Sequence, residues 1–308
     1  MIEFVVPLFN ERESLLLLHN QLLEVPLSPE YTRKFIYVND GSTDGTQQAL
    51  EKLAAEQKNV AVIELSRNFG HQAALSAGLD AATADIVISL DGDGQHPPSL
   101  IPDMLKLNAG GCDIVQARRM DGIETAGFAK RFTSRAFYRL LSLVGEVEIA
   151  EGSSDFRLLS RRALEALRRL PEYHRFYRGM VVWIGFPTAF VPYVPATRIE
   201  GETKYTLRKM LGLAADGLFS FSLMPLRIGL LLGLGFVAAA AAEVIYVAYF
   251  FLSGFRDRLV PGWSSLVLIL TLSSAIHMIL IGILGIYVGM IFREVKRRPV
   301  YLVRSRLP

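Results

Sequence analysis

The chain has 308 residues, 51% of them hydrophobic and 20% charged, with a mean hydropathy of +0.31. Soluble domains carry about a quarter charged residues, so the balance tilts toward a membrane protein. It excludes disorder, a purely soluble enzyme and, with Cys112 as the one cysteine, a disulfide scaffold. The net charge of +3 divides into −4 over residues 1–200 and +5 over residues 293–308. An acidic head and a basic tail give no reason to expect a nucleic-acid partner.

No cleavable signal opens the chain, because Ile2–Val6 reads as a strand at once, and the head is expected in the cytosol. Short β-branched runs then alternate with helical patterns, which predicts a parallel α/β sheet. Strands are expected at Phe4–Leu8, Phe35–Asn39, Val60–Leu65, Ile86–Leu90 and Ile114–Ala117. Helices are expected at Glu11–Leu23, Thr46–Ala55 and His71–Ala82. Two amphipathic segments follow: Gly127–Val144, with Arg131, Arg135 and Arg139 on one row, and Thr206–Phe221. Each reads either as a surface helix packed on a core or as a helix lying in the lipid interface.

Residues 228–252 contain one charged side chain, Glu243, and residues 264–292 contain none. A run of ~20 apolar residues crosses a bilayer core, so both stretches are long enough. Basic residues flank the head side of each, and positive-inside counting places both chain ends in the cytosol with a hairpin across the cell membrane. The expected layout is a catalytic head at 1–200, a juxtamembrane amphipathic segment at 201–227, a transmembrane hairpin at 228–292 and a basic cytosolic tail at 293–308. Lipid-surface contact is expected of that tail. Glu243 and His277 lie inside the spans, where polar groups are costly. Glycines at 229, 233, 235, 282, 285 and 289 permit close helix packing, including that of a homo-oligomer.

Three strand ends run into polar turns: Pro7-Leu8-Phe9-Asn10-Glu11, Asn39-Asp40-Gly41-Ser42-Thr43-Asp44-Gly45-Thr46, and Asp91-Gly92-Asp93-Gly94-Gln95-His96-Pro97-Pro98. Ligands of open α/β sheets bind outside the carboxyl ends of the strands, so these turns converge on one crevice. Ser42 and Asp44 are expected mainly to hold the backbone. The first strand lacks the glycine run of a dinucleotide fold, and no Gly-Lys-Ser/Thr ending of a P-loop occurs. An acidic crevice can approach a diphosphate only through a cation. Asp91 and Asp93 offer hard oxygen donors suited to Mg²⁺ or Mn²⁺.

These residues resemble the family 2 inverting glycosyltransferases of the GT-A fold, specifically the polyisoprenyl-phosphate glycosyltransferases, and the resemblance covers the whole chain. It implies transfer of a hexose from a nucleotide-sugar, UDP-glucose or similar, to a polyisoprenyl (undecaprenyl) phosphate. Pro7, Phe9 and Glu11 would then line the nucleoside pocket, Asp40 would hold the uracil, and Asn68 and His71 would lie beside the nucleotide. Asp91 would meet the nucleotide side, with Asp91, Asp93 and Gln95 holding a divalent cation and Asp93 counted with the catalytic residues. Gly92 and Gly94 depart from the alanine and leucine usual in that loop. The stretch Gly152–Leu158 resembles the one carrying the family's base, here Asp155.

Arg198-Ile199-Glu200-Gly201-Glu202-Thr203-Lys204-Tyr205 is similar to a signature whose Arg198 and Lys204 lie near phosphates. With Arg118 and Arg131 they are the expected acceptor-phosphate contacts. A phosphate monoester has a second pKa of about 6, so the acceptor is mostly a dianion at neutral pH and needs no strong base. Asp155 is therefore expected to orient the acceptor or bind a basic neighbour as much as to take a proton. Three competing readings are a processive polysaccharide synthase of the same fold, a non-catalytic membrane partner and a nucleotidyltransferase. The synthase would carry a Q-x-x-R-W motif, in which neither Trp183 nor Trp263 lies, and the nucleotidyltransferase a glycine-rich first loop. Intact Asp91, Asp93, Gln95 and Lys204 oppose the second.

Overall fold

The computed structural model describes residues 1–120, 152–170, 172–173, 175–194 and 262–308, with isolated positions between 231 and 253. The chain forms two compact units. One comprises Met1–Leu143, Val147–Ala214 and Arg298–Pro308; the other comprises Val144–Glu146 and Ala215–Arg297.

The first unit alternates β1 (Ile2–Leu8), α1 (Arg12–Glu24), β2 (Arg33–Asn39), α2 (Thr46–Glu56), β3 (Val60–Leu65), α3 (His71–Ala81), β4 (Ile86–Ser89), α4 (Ile101–Ala109) and β5 (Ile114–Arg119). It continues with β6 (Ser153–Ser160), α5 (Arg161–Arg168), α6 (Tyr177–Trp183) and β7 (Thr188–Tyr193). The strands form one sheet in the order β7-β5-β6-β4-β1-β2-β3-β8, where β8 is Val303–Leu307.

All seven residues of β1 are buried, as a central strand covered on both faces requires. Ile2, Phe4, Val6 and Leu8 face Leu15, Leu18 and Leu22 of α1 and Met104 of α4. Val5 points the other way, with Ile36 and Val38, toward Ala74 and Leu75 of α3, Leu164 of α5 and Met180 of α6. The period of two in a strand thus builds two cores, one on each side of the sheet.

The sheet is mixed, which corrects the expectation of a purely parallel one. β6 runs antiparallel to both β4 and β5, and β8 antiparallel to β3. Strand β6 reads Ser-Ser-Asp-Phe-Arg-Leu-Leu-Ser, and its buried charges hide the apolar alternation that marks a strand. In the stretch expected as a basic tail, residues 303–307 complete the sheet. Glu64 of β3 accepts hydrogen bonds from Arg304 (3.0 Å) and Ser305 (2.8 Å), and the Ser66 amide donates to the Leu302 carbonyl.

The second unit contains α7 (Trp263–Lys296), 34 residues long. At 1.5 Å per residue it spans ~51 Å, more than the ~30 Å hydrocarbon core. Among the described residues, Leu272–Lys296 is the one segment long and apolar enough to cross a membrane, and its side chains face outward. His277 meets its polar demand locally, since its Nδ1 lies 2.7 Å from the Ser273 carbonyl one turn back. The expected segments at 127–144 and 206–221, most of the first span, and Glu243 lie outside the described residues.

Candidate active site

The turns after β1 and β2 are interlocked. The Asp40 amide donates to the Leu8 carbonyl, the Asn10 amide to Ser42 Oγ, and the Thr43 amide to Asn10 Oδ1. Asp44 accepts from the Arg12 amide (3.2 Å) and from the amide and hydroxyl of Thr46 (3.0 and 2.6 Å). One carboxylate therefore serves the first residues of both α1 and α2, where the helix dipoles favour negative charge. These bonds outweigh burial and hold its pKa below the ordinary value. Ser42 and Asp44 do hold the backbone.

Asp40 is buried, and its two oxygens accept from the amides of Phe69 (2.7 Å) and Gly70 (2.9 Å). Burial pushes its pKa up despite those bonds. Its visible work is to hold the 67–70 loop against the β2 turn. Gly41 makes that approach possible: its φ is +67°, and a Cβ there would lie 2.5 Å from the Arg67 carbonyl carbon. In that loop the Arg67 guanidinium lies 4.2 Å from the Phe69 ring centroid, and Asn68 is exposed.

After β4, Asp91 is gripped by His96. The Asp91 amide donates to His96 Nδ1 (3.1 Å), and Nε2 of the same ring lies 3.7 Å from Asp91 Oδ2. The imidazole is buried against Phe156 and Tyr193. A Cβ on Gly92 would fall 2.2 Å from Leu8 Cδ2. Leu8 thus fills the space an alanine would need, which accounts for one departure from the family pattern. Asp93 Oδ1 accepts from the Gln95 amide (3.1 Å).

The third component was not legible as a constellation. Asp155 on β6 is 4% exposed and is surrounded by cations: Arg157 at 2.6 Å, Arg178 at 3.0 Å and His71 at 3.5 Å. His71, the first residue of α3, also lies 3.4 Å from Asp91 Oδ1 and so joins the two carboxylates. Burial alone would raise the pKa of Asp155, but Arg178, His71 and Arg157 outweigh it and hold the carboxyl well below the usual range. Burial likewise opposes a charge on His71, yet Asp155 and Asp91 prevail and its pKa is pushed up to about 9.

The residues expected in the site therefore divide. Asp91, His71 and Asp155 converge, with ligand atoms within 4.8 Å of one another. Pro7 is buried in β1, Phe9 is exposed, and Glu11 accepts from Ser14 Oγ (2.8 Å). Arg118 ends β5 and is exposed. Arg131, Arg198 and Lys204 lie outside the described residues. Sequence reasoning missed Arg157 and Arg178; an arginine two residues from a buried aspartate on one strand face is the signal for the first, and nothing in the sequence marks the second.

A divalent cation fits the donor set. Asp91 Oδ1 is buried with no hydrogen-bond partner, and Asp93 adds a second carboxylate two residues on. Asp155 is the poorer ligand, because two guanidinium groups already engage both of its oxygens.

The chain is similar to known proteins throughout its length. It is 38% identical over 304 residues to the prophage bactoprenol glucosyl transferase homolog of Escherichia coli K12, covering 98% of each chain. It is 37% identical over 306 residues to the bactoprenol glucosyl transferase of Shigella phage SfX, covering 99% of each. Among solved structures, glucosyl-3-phosphoglycerate synthase of Mycobacterium tuberculosis, in complex with Mn²⁺, UDP and phosphoglyceric acid, aligns over 71% of this chain and 76% of that one. The identity there is 20% and the TM-score 0.49. Residues 3–168, the stretch running from β1 through α5, match glycosyl transferase family 2, and it is to that family that this chain belongs.

Proposed function

We propose that this protein transfers a hexose from a nucleotide diphosphate donor, UDP-glucose or a close relative, to undecaprenyl phosphate at the cytosolic face of the membrane, with inversion at the anomeric carbon. The observation that carries this reading is the 37–38% identity, over essentially the whole chain, to proteins named bactoprenol glucosyl transferase. The site supports it chemically, since acidic and basic groups stand side by side where two phosphorylated substrates must meet.

In this reading an acceptor phosphate oxygen attacks the anomeric carbon from the face opposite the donor's diphosphate. The bond from that carbon to the diphosphate breaks, and the nucleoside diphosphate leaves. Asp91 and Asp93, with Gln95, would hold a divalent cation, which supplies charge neutralisation for the departing diphosphate when bound. His96 keeps Asp91 in place through both its backbone and its carboxylate. Asp155 stays ionised and holds cations. No base is required, because the acceptor is already largely deprotonated.

Sheet pairing supports a two-span anchor. Strands β7 and β8 belong to one sheet, so a chain that enters the bilayer between residues 193 and 303 must cross it an even number of times. Helix α7 supplies one crossing and the apolar stretch 228–252 the other. Both flanks and the head then lie on the cytosolic side.

The test is a transfer assay with purified protein, undecaprenyl phosphate and a panel of radiolabelled nucleotide sugars, with Mn²⁺ or with chelator. Label should enter the organic phase with one UDP-hexose and be lost on chelation. Failure of every donor to label lipid would defeat the proposal.

A further inference from the structure

We propose that Arg178 is a phosphate-binding residue of this site, held in place by Asp155 and directed at a phosphate oxygen of one of the two substrates. The inference rests on the reading that both substrates carry phosphate.

Charge and burial point to it first. Asp155 carries one negative charge and faces two permanently charged guanidinium groups, Arg157 and Arg178. It can neutralise one. Arg157 is 1% exposed and sealed in the sheet, whereas Arg178 is 31% exposed and touches the same carboxylate from the first turn of α6. The surplus charge therefore reaches solvent at Arg178, beside His71, whose side chain is 40% exposed. A guanidinium anchored by one edge can offer donors to a phosphate, a match of geometry as well as of charge.

The segment bearing Arg178 is fixed in register along α3. Gln72, Ser76 and Asp80 stand four residues apart, on one face of that helix. Gln72 Oε1 accepts from the Tyr177 amide (3.3 Å), Ser76 Oγ from the Tyr177 hydroxyl (3.1 Å), and Asp80 from Arg175 (3.1 Å). Three successive attachments hold residues 175–177, and Arg178 follows directly. Substrate-binding groups are held by such packing and supporting hydrogen bonds.

The polar groups beneath also have unmet capacity. Arg157 keeps Nε and Nη1 without hydrogen-bond partners, as does the buried amide of Gln116, its cross-strand neighbour on β5. Asp91 Oδ1 is in the same condition. Buried polar groups are rarely left so in clusters, and a site that completes its hydrogen bonding with a ligand is one place where they occur.

The experiment uses the full-length protein in detergent and the variants Arg178→Gln and Arg178→Lys. UDP binding in the presence of Mn²⁺ is measured by calorimetry, undecaprenyl phosphate binding by fluorescence titration, and lipid-linked product by the transfer assay. Arg178→Gln should weaken one affinity by roughly tenfold to a hundredfold, the loss of a charge-assisted hydrogen bond, and Arg178→Lys should restore part of it. Loss confined to the lipid assigns Arg178 to the acceptor phosphate; loss confined to UDP assigns it to the donor diphosphate. If both affinities stay unchanged in both variants, while melting temperature or turnover falls, Arg178 is a structural ion pair and the proposal is overturned. Absence of lipid-linked product from the wild type would instead sink the acceptor reading, and the UDP titration would still decide whether Arg178 meets the donor.

Discussion

Tyr301 donates its phenolic hydrogen to Asp80 Oδ2 at 3.0 Å, tying a residue five positions beyond α7 to the last turn of α3. Burial first, and then the charge of Asp80, push the phenol pKa up to about 12, so the group remains a donor at any working pH. Asp80 also accepts from Arg175. Tyr301→Phe is expected to cost about 1 kcal/mol of head stability. Asp80→Ala should cost more, about 2–3 kcal/mol, because two donors lose their acceptor, one of them charged. Thermal unfolding of the purified variants measures both, and equal losses would refute the shared-acceptor account.

Asp155→Asn separates the anchoring role from the basic one. Its carboxyl is held well below the ordinary range, so it is ionised throughout neutral pH. The ratio of variant to wild-type activity should therefore be flat between about pH 6 and 9, since no proton transfer to Asp155 is being lost. A ratio that climbs with pH would reinstate the base. The variant should also lose about 3–5 kcal/mol of stability, the cost of leaving Arg157 buried without its counter-charge.

His19 gives the fold a pH dependence of its own. It is buried on α1, with Nε2 facing Gln57 Oε1 (3.0 Å) and Nδ1 facing the Tyr37 hydroxyl (2.8 Å). Burial lowers its pKa from 6.5, more than the Gln57 hydrogen bond raises it. The unfolded chain thus binds a proton below about pH 6.5 that the folded chain refuses, and stability falls as pH drops through that value. Melting temperature plotted against pH should slope upward between about 5 and 6.5. His19→Gln should flatten the slope, and an unchanged slope would place the effect elsewhere.

Gly41 and Gly45 make a matched pair. Both have positive φ, +67° and +93°, but a Cβ on Gly45 meets Arg12 Cδ no closer than 3.4 Å, whereas one on Gly41 strikes the Arg67–Asn68 backbone. Gly45→Ala should cost the ~1–2 kcal/mol of left-handed strain alone. Gly41→Ala should cost more and weaken UDP binding, because the 67–70 loop must move. Calorimetry showing equal UDP affinity in the two variants would contradict this.

The first five strands and three helices were legible because their patterns are strong. Val60–Leu65 is a strand at the expected bounds, and α3 begins at His71 as its sequence implies. Such runs are apolar on both faces or cleanly periodic, and burial then follows pattern. The expectation broke down where charge is buried or sits on a sheet edge. Asp155 and Arg157 occupy one face of β6 and look like a loop in sequence because each is paired only in space. In Val-Arg-Ser-Arg-Leu the basic residues dominated the count, although the alternation is that of an edge strand. The acidic turns of the site were readable because turn chemistry is local. The cations around Asp155 come from three distant segments, and no spacing rule connects residues 71, 157 and 178.

The pairing of β3 with Val303–Leu307 also sets an order of events in biosynthesis. These residues leave the ribosome after α7 has been made, so the edge of β3 stays uncovered while the apolar helix enters the membrane. An uncovered edge recruits strands from other chains. The head is thus closed by a segment that arrives only after insertion. A chain whose helix fails to insert also fails to bring β8 home, and couples failed anchoring to an aggregation-prone, unfinished sheet.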